Sequence, residues 1–235
     1  MTDHLQFGGE IFHIVGDAAL FWPQENTLLV ADLHLEKASF YAKTGQMLPP
    51  YDSHATLTQL SDIAAKQDVR SVICLGDNFH DTGGEARLSG EAAILLRQLT
   101  QRYEWTWITG NHDPQLDAIW GGHSRLEQIV RGIALRHEAD PANREPEISG
   151  HYHPKLRVET ARRAVTRRCF TVSDRKIIMP AFGALTGGMD AAQAAFLAQP
   201  DAARHGGAMA VLNVTGKIIR FPLDLTKARA AAAAG

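Results

Sequence analysis

Three short apolar runs in the first half of the chain each stop at a polar cluster. Thr27 to Ala31 runs into Asp32-Leu33-His34, Ser71 to Leu75 into Gly76-Asp77-Asn78-Phe79-His80, and Trp105 to Thr109 into Gly110-Asn111-His112-Asp113. Apolar runs of this length, rich in β-branched and aromatic residues, read as buried strands. Helical patterns separate them. One carries Leu57, Leu60, Ile63 and Ala64 on one face, with Asp52 or Ser53 as the expected N-cap and an end near Lys66. The other carries Leu88, Ala92, Leu95, Leu96 and Leu99. In an open α/β sheet the loops at the carboxyl ends of the strands converge. The pattern therefore demands a fold that gathers three distant polar clusters at one sheet edge.

The second half changes character. Ile133 to Arg136, Leu156 to Thr160, Cys169 to Val172, Lys176 to Met179, Ala208 to Val214 and Lys217 to Phe221 are short β-type runs, with Thr215-Gly216 as a tight turn between the last two. Strands with helices first and mostly strands later predict a mixed α/β sandwich of two sheets. No Pro/Gly/Ser-rich linker divides the 235 residues, so residues 1–227 are expected to form one domain, with 228–235 an Ala-rich, frayed tail. The longest apolar runs fall far short of the roughly 18 residues of a membrane span. The N-terminus lacks a basic segment followed by an apolar stretch, so no signal peptide is expected. Two cysteines, Cys74 and Cys169, cannot build a disulfide framework, and the expected setting is reducing and cytoplasmic.

Eleven histidines against two cysteines mean that any metal is held by imidazole and carboxylate. Beyond the three strand-end clusters come His137 and then Gly150-His151-Tyr152-His153. Asp32 with His34, and His151 with His153, are i, i+2 pairs whose side chains point the same way from an extended segment. Singly, each cluster has a plain alternative: Gly-Asp after a strand is usually a turn, and a polar pair is usually a solvated one. Gly-Asn-His-Asp is more specific, because three polar side chains after a buried strand serve no packing purpose. Together, in this order, the clusters point to metal chemistry. His4, His13, His54 and His205 have no such context and read as ordinary surface or core residues.

The order Asp-x-His, Gly-Asp-x-x-His, Gly-Asn-His-Asp, His, Gly-His-x-His resembles the calcineurin-like binuclear metallophosphoesterases, over about residues 25 to 222. Further segments, ADLHLEKASF (31–40), LPPYDS (48–53), LGDNFHD (75–81), RHEADP (136–141), ISGHYHP (148–154), RRCF (167–170) and MPAFGALTGG (179–188), resemble the bacterial ligase-associated DNA damage response endonucleases. The resemblance implies an αββα sandwich of two mixed β-sheets flanked by helices. It implies two divalent transition-metal ions, Mn²⁺ foremost: one on Asp32, His34, Asp77 and His153, the other on Asp77, Asn111, His137 and His151, with Asp77 shared. His137 is preferred to His123 as the lone histidine between the motifs, because it ends a β-type run and sits in RHEADP. Activation of water by the two metals is implied, with His112 as general acid, Asp113 orienting its ring, and His80 near the phosphate or leaving group. The implied function is a repair endonuclease on single-stranded or flapped DNA, working alongside an ATP-dependent DNA ligase and a helicase. The alternatives are a phosphoesterase of a nucleotide or other small ester, and a non-catalytic scaffold, against which the complete ligand set speaks.

Net charge is -2 and gives no global case for a nucleic-acid partner. Locally the picture differs. Lys155, Arg157, Arg162, Arg163, Arg167, Arg168, Arg175 and Lys176 face only Glu159 and Asp174, a net +6 beside Gly150-His151-Tyr152-His153. A phosphate backbone could lie along this stretch; a solvated hairpin is the plain alternative. Phe40, Tyr41, Phe79 and Tyr152 flank the motifs and are candidates for stacking on bases or for packing. Pro180 to Gly188 lacks the Lys and spacing of a P-loop and reads as a tight connection supporting the site.

Overall fold

The structure, a computed structural model, describes residues 4–116, 119–159, 163–226 and 228. In chain order the elements are β1 (Leu5–Phe7), β2 (Glu10–Val15), β3 (Ala19–Trp22), β4 (Thr27–Val30), α1 (Lys37–Ala42), α2 (Asp52–Ala65), β5 (Ser71–Leu75), α3 (Gly84–Arg87), α4 (Gly90–Arg102), β6 (Glu104–Ile108), β7 (His123–Arg125), β8 (Glu127–Val130) and β9 (Ile133–Arg136). There follow β10 (Glu147–Ser149), β11 (Pro154–Glu159), β12 (Ala164–Arg168), β13 (Phe170–Val172), β14 (Lys176–Ile178), β15 (Met189–Asp190), α5 (Ala191–Ala198), β16 (Met209–Val214) and β17 (Lys217–Pro222).

Two large mixed sheets face each other. The first runs β1 to β7 in sequence order, antiparallel up to β4 and parallel from β4 to β7. The second has the order β17-β16-β13-β14-β10-β9-β8, with a parallel trio β14, β10 and β9 inside antiparallel flanks. A small sheet, β12-β11-β15, holds the basic hairpin β11–β12.

The central strands of the first sheet are buried on both faces, which is why they read as continuous apolar runs. Period-two alternation divides them. Leu28, Val30, Val72, Cys74, Trp105 and Trp107 pack on the side of Leu57, Leu60, Leu96 and Leu99 from α2 and α4. Leu29, Ala31, Ile73, Leu75 and Ile108 face Ile133, Leu135, Ile148, Phe170 and Ile177 of the second sheet. Ala194 and Ala198 of α5 cover that sheet's outer side at Ile178. These layers are the expected αββα sandwich.

One local expectation fails. Asp52 and Ser53 do not cap α2, whose N-cap is Tyr51 with no side-chain cap bond. Asp52 Oδ2 instead accepts from Ala38 N–H (3.0 Å), and Ser53 Oγ accepts from Glu36 N–H (2.8 Å) and donates to Glu36 Oε1 (2.9 Å). A tertiary contact to α1 has displaced the local cap. The opening hairpins β1–β3 and helix α5 carry no strong period in sequence and form through pairing and burial. Thr160 and Arg162 lie outside the described residues, as does the expected tail apart from Ala228. Among the described residues, no helix is long and apolar enough to cross a membrane.

Candidate metal centre

The two parallel strand sets deliver their carboxyl ends to one place. β4, β5 and β6 end just before Asp32, Asp77 and Asn111, while β9 and β10 end just before His137 and His151. Bringing them together strains the backbone. Asp32, His34, Asp77, His151 and His153 all have positive φ, from 34° to 71°. Left-handed backbone at non-glycine residues is costly and clusters at functional sites. The i, i+2 pairs are therefore not extended, as the spacing suggested. Turns spread His151 and His153 to different clusters, whereas Asp32 and His34 share one.

In the first cluster, ligand atoms of Asp32, His34 and His153 lie within 4.8 Å of one another. His34 Nε2 is 3.3 Å from His153 Nε2, which is 3.6 Å from Asp32 Oδ1. In the second, the same holds for Asp77, His137 and His151. Asn111 Oδ1 joins them at 2.9 Å from His137 Nε2 and 3.0 Å from His151 Nδ1. Asp77 lies between the clusters: Oδ1 is 3.4 Å from His137 Nε2 and Oδ2 is 3.8 Å from His34 Nε2. All seven residues expected as ligands thus meet in one cleft, whereas His123 lies exposed on β7. His4, His13, His54 and His205 belong to none of the clusters.

The donor set fits cations. His137 Nδ1–H is placed to donate to the Leu75 carbonyl at 3.2 Å. Its Nε2 then turns a lone pair toward Asn111 Oδ1 and toward His151 Nδ1, 3.0 Å away. Burial, followed by the nearby histidines and Lys37, holds the His34 pKa down at about 2, so the ring is neutral and keeps a lone pair. Burial likewise lowers His151. Lone pairs converging at about 3 Å repel; one proton relieves one pair, whereas a divalent ion satisfies a whole cluster. Asp32, His34, Asp77 and His153 would hold one ion, and Asp77, Asn111, His137 and His151 the other.

Glycine makes two of these approaches possible. Gly76 sits at φ +80°, and a Cβ there would overlap the His137 ring. A Cβ on Gly110 would overlap the Asp77 carboxylate and lie 2.9 Å from its Cα. The glycines before Asp77 and Asn111 are therefore spacers for ligands arriving from other strands.

A third group adjoins the first through His34: His34, His80 and His112. His112 Nδ1–H is placed to donate to the His80 carbonyl at 2.7 Å, which turns Nε2 toward Asp77 Oδ2, 4.0 Å away. The His80 and His112 rings stack with centroids 5.2 Å apart. Burial lowers the His80 pKa to about 4, so that ring is neutral at physiological pH. Asp113, expected to orient the His112 ring, is engaged elsewhere. Its oxygens accept from Phe79 N–H and Gly110 N–H, both at 3.0 Å, tying the second strand-end loop to the third. The His80 carbonyl does the orienting. Burial pushes the Asp113 pKa up to about 6.

The basic stretch also divides. Lys176 is buried against Glu147, Nζ to Oε2 3.0 Å, and Arg175 pairs with Asp201 at 2.9 Å. Neither can serve a polyanion. Arg157, Arg163 and Arg167 on the hairpin are exposed, and Arg162 lies outside the described residues. Phe79 and Tyr152 are buried and pack. Phe40 and Tyr41 are half-buried, with ring centroids 4.9 and 5.5 Å from that of His80. The sequence reading passed over Lys37, at the start of α1. Its charge acts on His34 and His80 and places a further cation at this cleft; its position three residues after His34 was the available signal.

A family model described as calcineurin-like phosphoesterase matches residues 26–167. The chain belongs to the calcineurin-like phosphoesterases, and is a metal-dependent hydrolase of phosphoester bonds. Among solved structures it is similar to Pseudomonas putida nuclease MPE, with 25% identity, 93% of this chain and 98% of that chain covered, and a TM-score of 0.70. It also matches a Vps29 single mutant from Entamoeba histolytica, with 16% identity, 84% and 99% coverage and a TM-score of 0.33. Vacuolar Protein Sorting 29 from Cryptosporidium parvum matches with 14% identity, 83% and 97% coverage and a TM-score of 0.33. No curated protein matches the sequence.

Proposed function

We propose that this phosphoesterase is a DNA endonuclease, cutting single-stranded or flapped DNA during repair with Mn²⁺ as its metal. The observation that carries the reading is the hairpin β11–β12, which starts one residue after His153 and exposes Arg157 and Arg167. Arg157 shares a face of the hairpin with Lys155, and a polyanion laid along that face leads to the paired clusters, while Arg167 presents its charge on the opposite face. The likeness to a nuclease over nearly the whole chain supports the same reading. So does the family-like sequence, which also suggests action beside an ATP-dependent DNA ligase and a helicase.

The ions, when bound, supply Lewis-acid polarisation of the phosphoryl group and activation of water. The chain does the rest. Asp77 offers one oxygen to each cluster, the strained turns fix Asp32, His34, His151 and His153, and the Leu75 carbonyl orients His137. His112, held through Nδ1 by the His80 carbonyl, presents Nε2 to the cleft. Protonated there, it holds a proton for the leaving alkoxide. Neutral His80 keeps the ring stacked and lies beside the leaving group as a hydrogen-bonding group. Asp113 locks the loops that carry both histidines.

The test is purified protein, a panel of divalent metals, and labelled circular single-stranded DNA beside mononucleotides, with Asp77→Ala as control. Nicking of the circle with Mn²⁺, absent from the variant, is expected. Release of phosphate from mononucleotides with the circle left intact would overturn the proposal in favour of a small-ester hydrolase.

A further inference from the structure

The hairpin register sets Lys155 directly opposite Arg168. Both side chains turn to the loop after Met179. Arg168 Nη1 donates to the Phe182 carbonyl (3.2 Å), and Nη2 donates to the Gly183 carbonyl (2.6 Å) and to Thr186 Oγ1 (3.4 Å). Lys155 Nζ donates to the Thr186 carbonyl at 3.1 Å. The same loop is fastened to the first metal cluster, because Phe182 N–H donates to the Ala31 carbonyl (2.8 Å) and Gly183 N–H to the Asp32 carbonyl (3.2 Å). Ala184 N–H donates to Thr56 Oγ1 on α2 at 3.0 Å. A continuous set of hydrogen bonds therefore runs from the hairpin through residues 182–186 to the backbone of Asp32.

The guanidinium of Arg168 is half-buried and makes three of these bonds, so it has few donors left for a phosphate. Arg157 and Arg167 are exposed, and no ion pair engages either among the described residues. Charge alone made the four basic residues look equivalent; geometry separates them.

We infer that Arg168, assisted by Lys155, is a positioning residue that holds the strained Asp32 turn through the 182–186 loop, while Arg157, on the same face of the hairpin, meets the nucleic-acid backbone. The second half of this inference rests on the DNA reading above. The first half rests only on the chain's own hydrogen bonds. It gives the small sheet a mechanical role: the element that receives the polymer also braces a metal-binding turn. The planar fork of arginine matches two neighbouring carbonyls, and lysine cannot reproduce it.

The experiment compares Arg168→Lys with Arg157→Gln in the full chain, using three readouts. The first is the slope of log affinity against log salt for a labelled single-stranded oligonucleotide, read without added metal. The second is the rise in Tm on adding Mn²⁺. The third is turnover of a nitrophenyl phosphodiester. Arg168→Lys keeps the charge and loses the fork. Its salt slope is expected to stay unchanged, its Mn²⁺-induced rise in Tm to shrink, and its small-diester turnover to fall by tenfold or more. Arg157→Gln is expected to flatten the slope by about 0.7, the value for one lost contact to a single strand.

Thr186→Val keeps every charge and removes one acceptor of Arg168. It should reproduce the Arg168→Lys pattern in milder form, and it serves if Arg168→Lys fails to fold. The positioning role is overturned if Arg168→Lys, or Thr186→Val in its place, leaves the Mn²⁺ response and small-diester turnover as in the wild type. It is also overturned if Arg168→Gln flattens the slope by about 0.7 without changing either. If no variant shows salt-dependent binding and the wild type shows none either, the DNA reading fails, while the Mn²⁺ and small-diester readouts still decide the role of Arg168.

Discussion

Lys176 belongs by sequence to the basic stretch and by structure to the core, and one substitution separates the two. Lys176→Met removes the ammonium and keeps the length of the side chain. In the wild type, Nζ lies 3.0 Å from Glu147 Oε2 and donates to the Asp140 carbonyl at 2.9 Å, and the Glu147 side chain has no exposure at all. The variant leaves that carboxylate with Asp140 N–H, the Asn143 amide at 2.8 Å and the Arg136 guanidinium at 3.6 Å. Breaking a buried pair from one side costs about 3–5 kcal/mol. The surviving Arg136 contact puts this case at the lower end, about 3 kcal/mol. For a chain of this size that corresponds to a fall in Tm of about 6–12 °C. Adding Glu147→Gln removes the stranded charge, so the double variant should recover about 1–3 kcal/mol of the loss as coupling energy. Thermal denaturation followed by circular dichroism reads all three proteins. An unchanged Tm together with a DNA salt slope flattened by about 0.7 would refute the reasoning, since it would place Lys176 against nucleic acid rather than Glu147.

Three further outcomes follow from the site. His112→Ala should slow DNA cleavage far more than cleavage of a nitrophenyl diester, whose leaving group needs no proton; equal losses would remove the general-acid role. Asp113→Ala strands two buried N–H groups, those of Phe79 and Gly110, at about 1–3 kcal/mol each. It should lower Tm and slow both substrates alike, and a loss confined to DNA would mean that Asp113 acts through His112 after all. Gly110→Ala forces a methyl group into the space of the Asp77 carboxylate, so a mass measurement under native conditions should find fewer than two metal ions per chain; full occupancy would contradict the packing.

Much of this was legible in the sequence because it was local. A buried strand announces itself as an apolar run, and Thr27 to Ala31, Ser71 to Leu75 and Trp105 to Thr109 needed no partner to be recognised. The Asp-x-His, Gly-Asn-His-Asp and Gly-His-x-His clusters stood out for the same reason, since the strands' own packing does not call for polar residues directly after such runs. What the spacing suggested about their backbone was wrong, because an i, i+2 rule assumes extended chain and these turns are left-handed.

The sequence by itself determined which polar residues stand at the strand ends, because strand ends and residue types are properties of a few neighbours. Only the tertiary structure decided how closely these side chains approach one another and which charges remain free. Gly76 makes room for His137, Asp113 serves Phe79 and Gly110 rather than His112, Lys176 is spent on Glu147, and Arg168 on the 182–186 loop. Each of these partners lies far away in the chain or is fixed by a turn, and a charge has no role until burial and geometry have chosen its counterpart.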